Sequence, residues 1–332
     1  MQPLDGVDLR VVAALQVNGR ATWDRIARVL KEPTRNVARR ATRLRESGVL
    51  SVIGMVDDLR LDSVVLRLRC RPGSAAGVGA ALSELPQARF VTLVSGSADC
   101  VAELSVADDT LQDLLLQDIP AIDGVLEITV YPALKYFSTP LDWHLGVLTQ
   151  QETEELHEQW PPAPGRFQRA REAPSAEDEQ IIAVMAADGR ATHAEVAAAT
   201  GTSESTARRR LDSLLRRGIL RVRAKIEPAY LGLPTEAVLW LRVVESEVEA
   251  VGQALAARPE VRCVAAVAGD HQLVAQTALP GRAELYAFLR MIGGLRGMRA
   301  IETTVMLRPL KRGFMIKRDG RVERRAGPTG SS

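Results

Sequence analysis

The sequence predicts an α+β fold in which helix-turn-helix domains alternate with four-stranded βαββαβ domains, each present twice. Three observations predict it. The stretch from Gly19 to Leu50 returns without a gap as Gly189 to Leu220, each copy gives way to strand-like apolar patterning, and a Pro-bearing stretch separates the halves. Between Asp8–Val52 and Asp178–Val222 the offset is constant (178 − 8 = 222 − 52 = 170). Thirteen of the forty-five aligned residues are identical, where chance gives roughly three or four.

In chain order, Asp5-x-x-Asp8 and Ser175-x-x-Asp178 each open a helix, running to about Val17 and Ala187, with an acidic group favourable at its N-terminus. Val11, Val12 and Leu15, like Ile181, Ile182 and Met185, keep the helical period and supply a core. A short helix follows from Thr22 to about Leu30, then a turn at Lys31 to Pro33, then a second helix from about Thr34 to Ser47. Ile26, Ala27, Val37 and Leu44 form the apolar seam, while Arg35, Asn36, Arg39, Arg40 and Arg43 project elsewhere. Between Lys31 and Ile53 six basic residues less two acidic leave +4, and between Gly201 and Arg223 seven less two leave +5, against +2 for the whole chain. Positive charge is therefore concentrated on these segments, as a polyanion partner requires.

A helix in the major groove reads bases with its first turns and grips phosphates along its flanks. Thr34, Arg35 and Asn36 are therefore the candidate readers and Arg39, Arg40 and Arg43 the candidate phosphate contacts, with Thr22 a further candidate DNA contact. The same roles fall in the second copy to Thr192, Ser203, Ser205, Thr206, Arg208, Arg209 and Arg210. The plain alternative, a merely solvated basic face, is weakened by the recurrence of Arg39-Arg40 as Arg209-Arg210.

After each copy the texture changes. Strands are expected at Val64–Cys70, Arg89–Val94, Val101–Val106 and Val125–Tyr131, with helices at Ala75–Leu85 and Leu111–Ile119. The second half repeats the order with strands at Ala237–Val244, Arg262–Ala268, Leu273–Thr277 and Met298–Leu307 and helices at Val248–Ala257 and Ala283–Ile292. Two βαβ halves in this order give the ferredoxin-like arrangement. The expected domains are 1–56, a winged-helix-like helix-turn-helix; 57–135, ferredoxin-like; 136–174, a linker; 175–227 and 228–312, the second pair; and 313–332, a basic flexible tail.

Leu4-Asp5, Asp8, Leu15-Gln16, Asn18-Gly19-Arg20-Ala21-Thr22, Arg39-Arg40, Leu44 and Gly48-Val49-Leu50 resemble the N-terminal signature of the Lrp/AsnC (feast/famine) transcriptional regulators, and Ile226-Glu227-Pro228 with Leu231-Gly232 is similar to the exit from their DNA-binding domain. The resemblance implies double-stranded DNA as a partner and a ferredoxin-like module, the RAM type, that binds a small-molecule effector, often an amino acid, and pairs through its sheet. It also implies an effector turn, Gly-x-x-Asp, to which Ser95-Gly96-Ser97-Ala98-Asp99 corresponds; the second copy, Gly269-Asp270-His271-Gln272, has glutamine at the aspartate position. The plain alternative is a tight turn that needs glycine for backbone reasons. An intrachain pseudo-dimer, its modules paired sheet to sheet, and assembly into a homo-oligomer are expected.

No apolar run approaches the roughly 20 residues of a membrane helix, and no secretion signal opens the chain, so a cytoplasmic location is expected. Cys70, Cys100 and Cys263 lie far apart without metal-ligand spacing and read as buried hydrophobes, so neither metal nor cofactor is expected. In the linker, Thr149-x-x-Glu152 suits a short capped helix ending before the Pro161-Pro162-Ala163-Pro164 run, and Trp143 and Trp160 suit docking. The four histidines, His144, His157, His193 and His271, do not recur at equivalent places, and no nucleophile motif appears, so an enzyme is not expected. The alternatives are a siroheme-decarboxylase-like enzyme, a branch with the same two-domain plan, and an interaction scaffold without DNA binding.

Overall fold

The computed structural model describes residues 4–56, 62–106, 108–157, 174–313, 315–318 and 321–324. In chain order the first half contains α1 (Gly6–Val17), α2 (Trp23–Leu30), α3 (Thr34–Glu46), β1 (Leu50–Val56), β2 (Asp62–Cys70), α4 (Ala75–Glu84), β3 (Ala88–Ser95), β4 (Cys100–Val106), α5 (Asp108–Asp113) continued by a π turn, and β5 (Val125–Ser138). Then come α6 (Gln150–His157), α7 (Ala176–Ala187), α8 (His193–Thr200), α9 (Glu204–Arg216), β6 (Leu220–Ile226), β7 (Thr235–Val243), α10 (Val248–Ala256), β8 (Val261–Val267), β9 (Leu273–Leu279), α11 (Arg282–Gly293), β10 (Met298–Arg312), β11 (Met315–Arg318) and β12 (Arg321–Arg324). The chain falls into two compact units, one from 1–59 with 144–232 and the other from 60–143 with 233–332.

The first unit contains both helix-turn-helix heads. Local chemistry sets their boundaries: the side chains of Asp5, Thr22, Ser175, Thr192 and Ser203 each cap a helix by accepting a backbone N–H three residues on. Lys31 closes α2 with φ 56°, in the left-handed region where the second copy has Gly201 with φ 65°. Val11, Val12, Leu15 and Ile26 are buried, as are Val37 and Leu44 on the inner face of α3.

Among the described residues, neither head has the wing hairpin that the winged-helix expectation requires. The single strand after each second helix instead pairs with its counterpart: β1 runs antiparallel to β6 with Ile53 opposite Arg223. Since 223 − 53 = 170, the repeat offset, this pair sits on a pseudo-two-fold axis relating the heads. The capped linker helix is present as α6, with Thr149 and Glu152 bonding each other's backbone N–H. It docks on the first head, where Leu156 is fully buried, the Asn18 side chain donates to its carbonyl at 3.0 Å and Arg10 pairs with Glu152 at 2.5 Å. Trp160 and Pro161–Pro164 lie outside the described residues.

In the second unit each half forms a four-stranded antiparallel sheet, β3-β4-β2-β5 and β8-β9-β7-β10. Pairing of β5 with β8 and of β10 with β3 joins the two sheets edge to edge, closing a barrel and removing their free edges. The modules therefore join through strand edges as well as facing sheets. Three cores result. One lies between each sheet and its helices, and the third, between the sheets, contains Val65, Tyr131, Val238, Trp240 and Val274.

Two expectations are corrected here. β5 runs to Ser138 and β10 to Arg312, beyond Tyr131 and Leu307, because these extensions pair with the opposite module. The expected flexible tail contains β11 and β12, which continue antiparallel from the end of β10.

Candidate nucleic-acid interface and sensor cluster

Along α3, Thr34, Arg35, Arg39, Thr42 and Arg43 are exposed; along α9, Glu204, Ser205, Arg208, Arg209 and Arg216 are. Arg35 and Arg209 engage no carboxylate among the described residues. These side chains can approach a duplex without breaking a contact that holds the head together.

Other expected DNA contacts have structural work. Arg40 donates to Asp5 at 2.6 Å and to Asp8 at 2.7 Å, and Arg43 pairs with Asp8 at 2.5 Å while leaving most of its side chain exposed. The bonds that Arg40 donates to Asp5 and Asp8 raise its pKa further. Asp8 is buried, so Arg40 neutralises a carboxylate inside the head and is withdrawn from the phosphate role. Arg210, its counterpart, donates to Asp178 at 3.1 Å. Asn36 is likewise engaged, donating to Glu32 at 3.0 Å and accepting from Arg39 at 2.9 Å. Thr22, Thr192 and Ser203 serve as caps, and Thr206 donates its backbone N–H to Ser203.

Arg20 and Arg190, absent from the sequence-derived candidates, connect the heads. Arg20 Nη1 donates to the Gly189 and Ala191 carbonyls at 2.9 and 3.0 Å, and Arg190 Nη1 returns the bond to Gly19 and Ala21 at 2.7 and 3.1 Å. Arg190 also lies 3.9 Å from the Trp23 ring centroid. Burial lowers both pKa values, that of Arg190 to about 10, which leaves Arg190 cationic at neutral pH. Their recurrence in the Gly-Arg-Ala-Thr match was the available signal. Only reciprocal geometry explains why it recurs.

In the second unit, the turns expected to contact an effector divide between two structural tasks. Asp99 accepts the Cys70 backbone N–H at 2.8 Å, and Gln272 accepts that of Val243 at 3.0 Å, so carboxylate and amide do the same job of holding the end of the first strand in each module. Gly96 and Gly269 adopt φ values of 113° and 144°, as these turns require. At Gly269 a Cβ would meet the Tyr131 ring at 2.8 Å. Ser95 remains exposed at the turn, its hydroxyl 3.5 Å from the Val305 carbonyl.

Ser97, Asp270 and His271 join a polar cluster drawn from both modules. Tyr131 donates to Asp270 at 2.7 Å, and buried His271 has Nδ1 3.2 Å from Asp270 and Nε2 3.5 Å from Glu302. Glu302 also takes Arg67 at 2.5 Å and the Ser97 hydroxyl, while Arg67 lies 4.6 Å from the Trp240 ring centroid. Arg67, Tyr131, Trp240 and Glu302 were not identified from the sequence, because no local pattern links β2, β5, β7 and β10. Burial works against both charges of the Arg67–Glu302 pair, but their contact outweighs it, raising the Arg67 pKa and holding Glu302 below the usual carboxylate range. Burial pushes the Tyr131 phenol up to about 12, and the Tyr131 hydroxyl holds Asp270 low.

Burial also depresses the His271 pKa, despite the opposing pull of Asp270 and Glu302. Below the ordinary imidazole value of 6.5 the unfolded chain therefore takes up a proton before the folded barrel does. The His271 contribution is present above that pH and is lost as pH falls through the lower folded pKa. Between pH 7.5 and 5.5 the urea midpoint of the barrel should fall, and His271→Gln should shrink that fall. Equal falls in the two proteins would refute this account.

The AsnC-type helix-turn-helix domain model matches residues 4–45 and 176–215, and the Lrp/AsnC ligand binding domain model matches residues 236–316. An uncharacterized HTH-type transcriptional regulator of Pyrococcus furiosus is 31% identical over 139 residues, which are 41% of this chain and 94% of that protein. An HTH-type transcriptional regulator of Pyrococcus horikoshii is 30% identical over 135 residues, 40% of this chain and 89% of its own. Among solved structures, that of the siroheme decarboxylase NirDL matches over 92% of both chains with a TM-score of 0.61 and 15% identity, a likeness of fold.

Proposed function

We propose, since the chain belongs to the Lrp/AsnC family of transcriptional regulators, that it binds double-stranded DNA through both heads and answers to a small-molecule effector, amino acids being the first class to test. The observation that carries the reading is a pair of outward-facing, arginine-bearing second helices related by one pseudo-two-fold axis. Dimeric helix-turn-helix proteins place such helices in major-groove segments about 34 Å apart, and here one polypeptide supplies both. Exposed Arg39 and Arg209 suit phosphates, and Arg35 suits the paired acceptors of guanine. For the effector, the cluster of Arg67, Ser97, Asp270, His271 and Glu302 offers a cation and carboxylates of the kind that an amino acid's two charges require.

Fluorescence anisotropy with labelled duplex across a salt series tests the reading. Replacing Arg39 and Arg209 with alanine should weaken binding on every sequence and reduce the salt slope by about one for each phosphate that is no longer neutralised, whereas Arg35→Ala should relax base preference. Identical losses from both variants on all sequences would contradict this division of roles. The titration is repeated with pooled amino acids, which should shift the affinity, and absorption spectra are recorded with siroheme. A spectral change on adding siroheme would favour the enzyme reading instead.

A further inference from the structure

Resting on the DNA-binding reading above, we infer that the preferred DNA target is not a palindrome. One arm is read by the first turns of α3, with Thr34 and Arg35, and an unlike arm by those of α9, with Glu204, Ser205 and Arg208. A homodimer built on a two-fold axis must present the same side chains twice and so matches a palindrome. Here the axis is retained but the chemistry across it differs.

Several positions that join or brace the heads are the same in both copies, although the axial pair itself, Ile53 and Arg223, is not. Gly19 and Gly189 approach the opposite strand, Arg20 and Arg190 exchange bonds, and Asp8 and Asp178 hold Arg40 and Arg210. Gly19 and Gly189 have no room for change, since a Cβ on Gly19 would meet the Val222 carbonyl oxygen at 2.7 Å and one on Gly189 the Ile53 carbonyl carbon at 2.9 Å. Exposed and half-buried positions of the second helices have diverged: Thr34 corresponds to Glu204, Arg35 to Ser205, Ala38 to Arg208, Thr42 to Asp212 and Arg43 to Ser213, while exposed Arg39 is matched by Arg209. The reciprocal glycine, arginine and aspartate contacts are kept, while most of the exposed side chains at the start of the second helices have changed.

The changed residues have different preferences for base edges. Arg35 presents a fork of donors suited to guanine O6 and N7, whereas Glu204 presents only acceptors and suits the cytosine N4 amino group. Glu204 at the start of α9 would also repel a phosphate, which disfavours a purely backbone role for that turn. Arg39 and Arg209, the shared pair, fit the part of the interface that carries no sequence information.

The test begins with selection of bound sequences from a random duplex library by the full-length chain. The expected motif has two unlike arms in fixed order, centred about 10–10.5 base pairs apart. Anisotropy then compares the selected duplex with two palindromes, each made by doubling one arm. The selected duplex should bind at least about tenfold tighter than either, as one mismatched base edge in the doubled arm implies. Thr34→Glu combined with Arg35→Ser, both at exposed positions, should move the preference toward the palindrome of the second arm. Unchanged thermal melting of that variant would show that its fold is intact. A palindromic motif, or equal affinity for all three duplexes, would overturn this inference while leaving DNA binding in place. A chain that enriches no sequence and binds no duplex would overturn the DNA-binding reading itself.

Discussion

Replacing Glu236 with alanine is expected to lower the unfolding free energy of the barrel by about 3–5 kcal/mol, the usual cost of removing one partner from a buried ion pair. Its carboxylate accepts from Arg262 at 3.0 Å and from Arg312 at 2.6 Å, and all three side chains are nearly buried. Arg262 further lies 5.1 Å from the Trp143 ring centroid and Arg312 lies 5.8 Å from that of Phe90, so the triad ties β7, β8 and β10 to Phe90 of β3 and to Trp143 beyond β5. Without Glu236 the two guanidinium groups lose the carboxylate that both of them bond. Glu236→Gln keeps the shape and an acceptor and should cost less. Replacing all three members with leucine should also cost less than the single alanine variant, because it removes the desolvated charges together with their partner. Denaturant titration followed by tryptophan fluorescence, with buried Trp240 as the barrel's reporter, measures each variant. A single alanine variant with an unchanged midpoint would show that the triad contributes nothing.

The combined change of Arg20 and Arg190 to alanine should weaken binding to a two-arm duplex by about a hundredfold, the gain in avidity when two modules are held at a matching separation. Affinity for a one-arm duplex should change little. Each guanidinium satisfies two backbone carbonyls of the opposite head, and bonds from a charged donor are each worth about 1.5–3 kcal/mol before the cost of burying the cation is subtracted. The β1–β6 ladder remains, so the expected effect is loosened spacing between intact heads. Comparing one-arm and two-arm duplexes separates this from unfolding: equal losses on both would mean that the heads themselves had been damaged.

The helix caps at Asp5, Ser175 and Thr149 were legible in the sequence, since a side-chain acceptor and the N–H that it takes lie three positions apart, whereas the caps Thr22, Thr192 and Ser203 read there as DNA contacts. The full lengths of β5 and β10 were not. Their extensions owe their strand conformation to partners in the opposite module, β8 and β3, far away in sequence. The turn containing Asp99 reads as a candidate effector site, yet the matching bond that Gln272 accepts from the Val243 N–H shows a shared structural task. A glutamine reaches the same backbone N–H with an amide oxygen, so the carboxylate charge is not needed for that task.

The order of helices and strands within the two ferredoxin-like modules, their duplication and the concentration of positive charge on two segments follow from the sequence alone, because caps, periodicity and repeats are local or directly comparable properties. Tertiary structure decided the purpose of each arginine. Arg35 is left to solvent, Arg40 is bound to Asp8, Arg20 and Arg190 lock the heads together, and Arg67 holds Glu302. A guanidinium at the end of a long side chain bonds the acceptor nearest in space, and the acceptors of Arg20, Arg190 and Arg67 lie more than a hundred residues away along the chain.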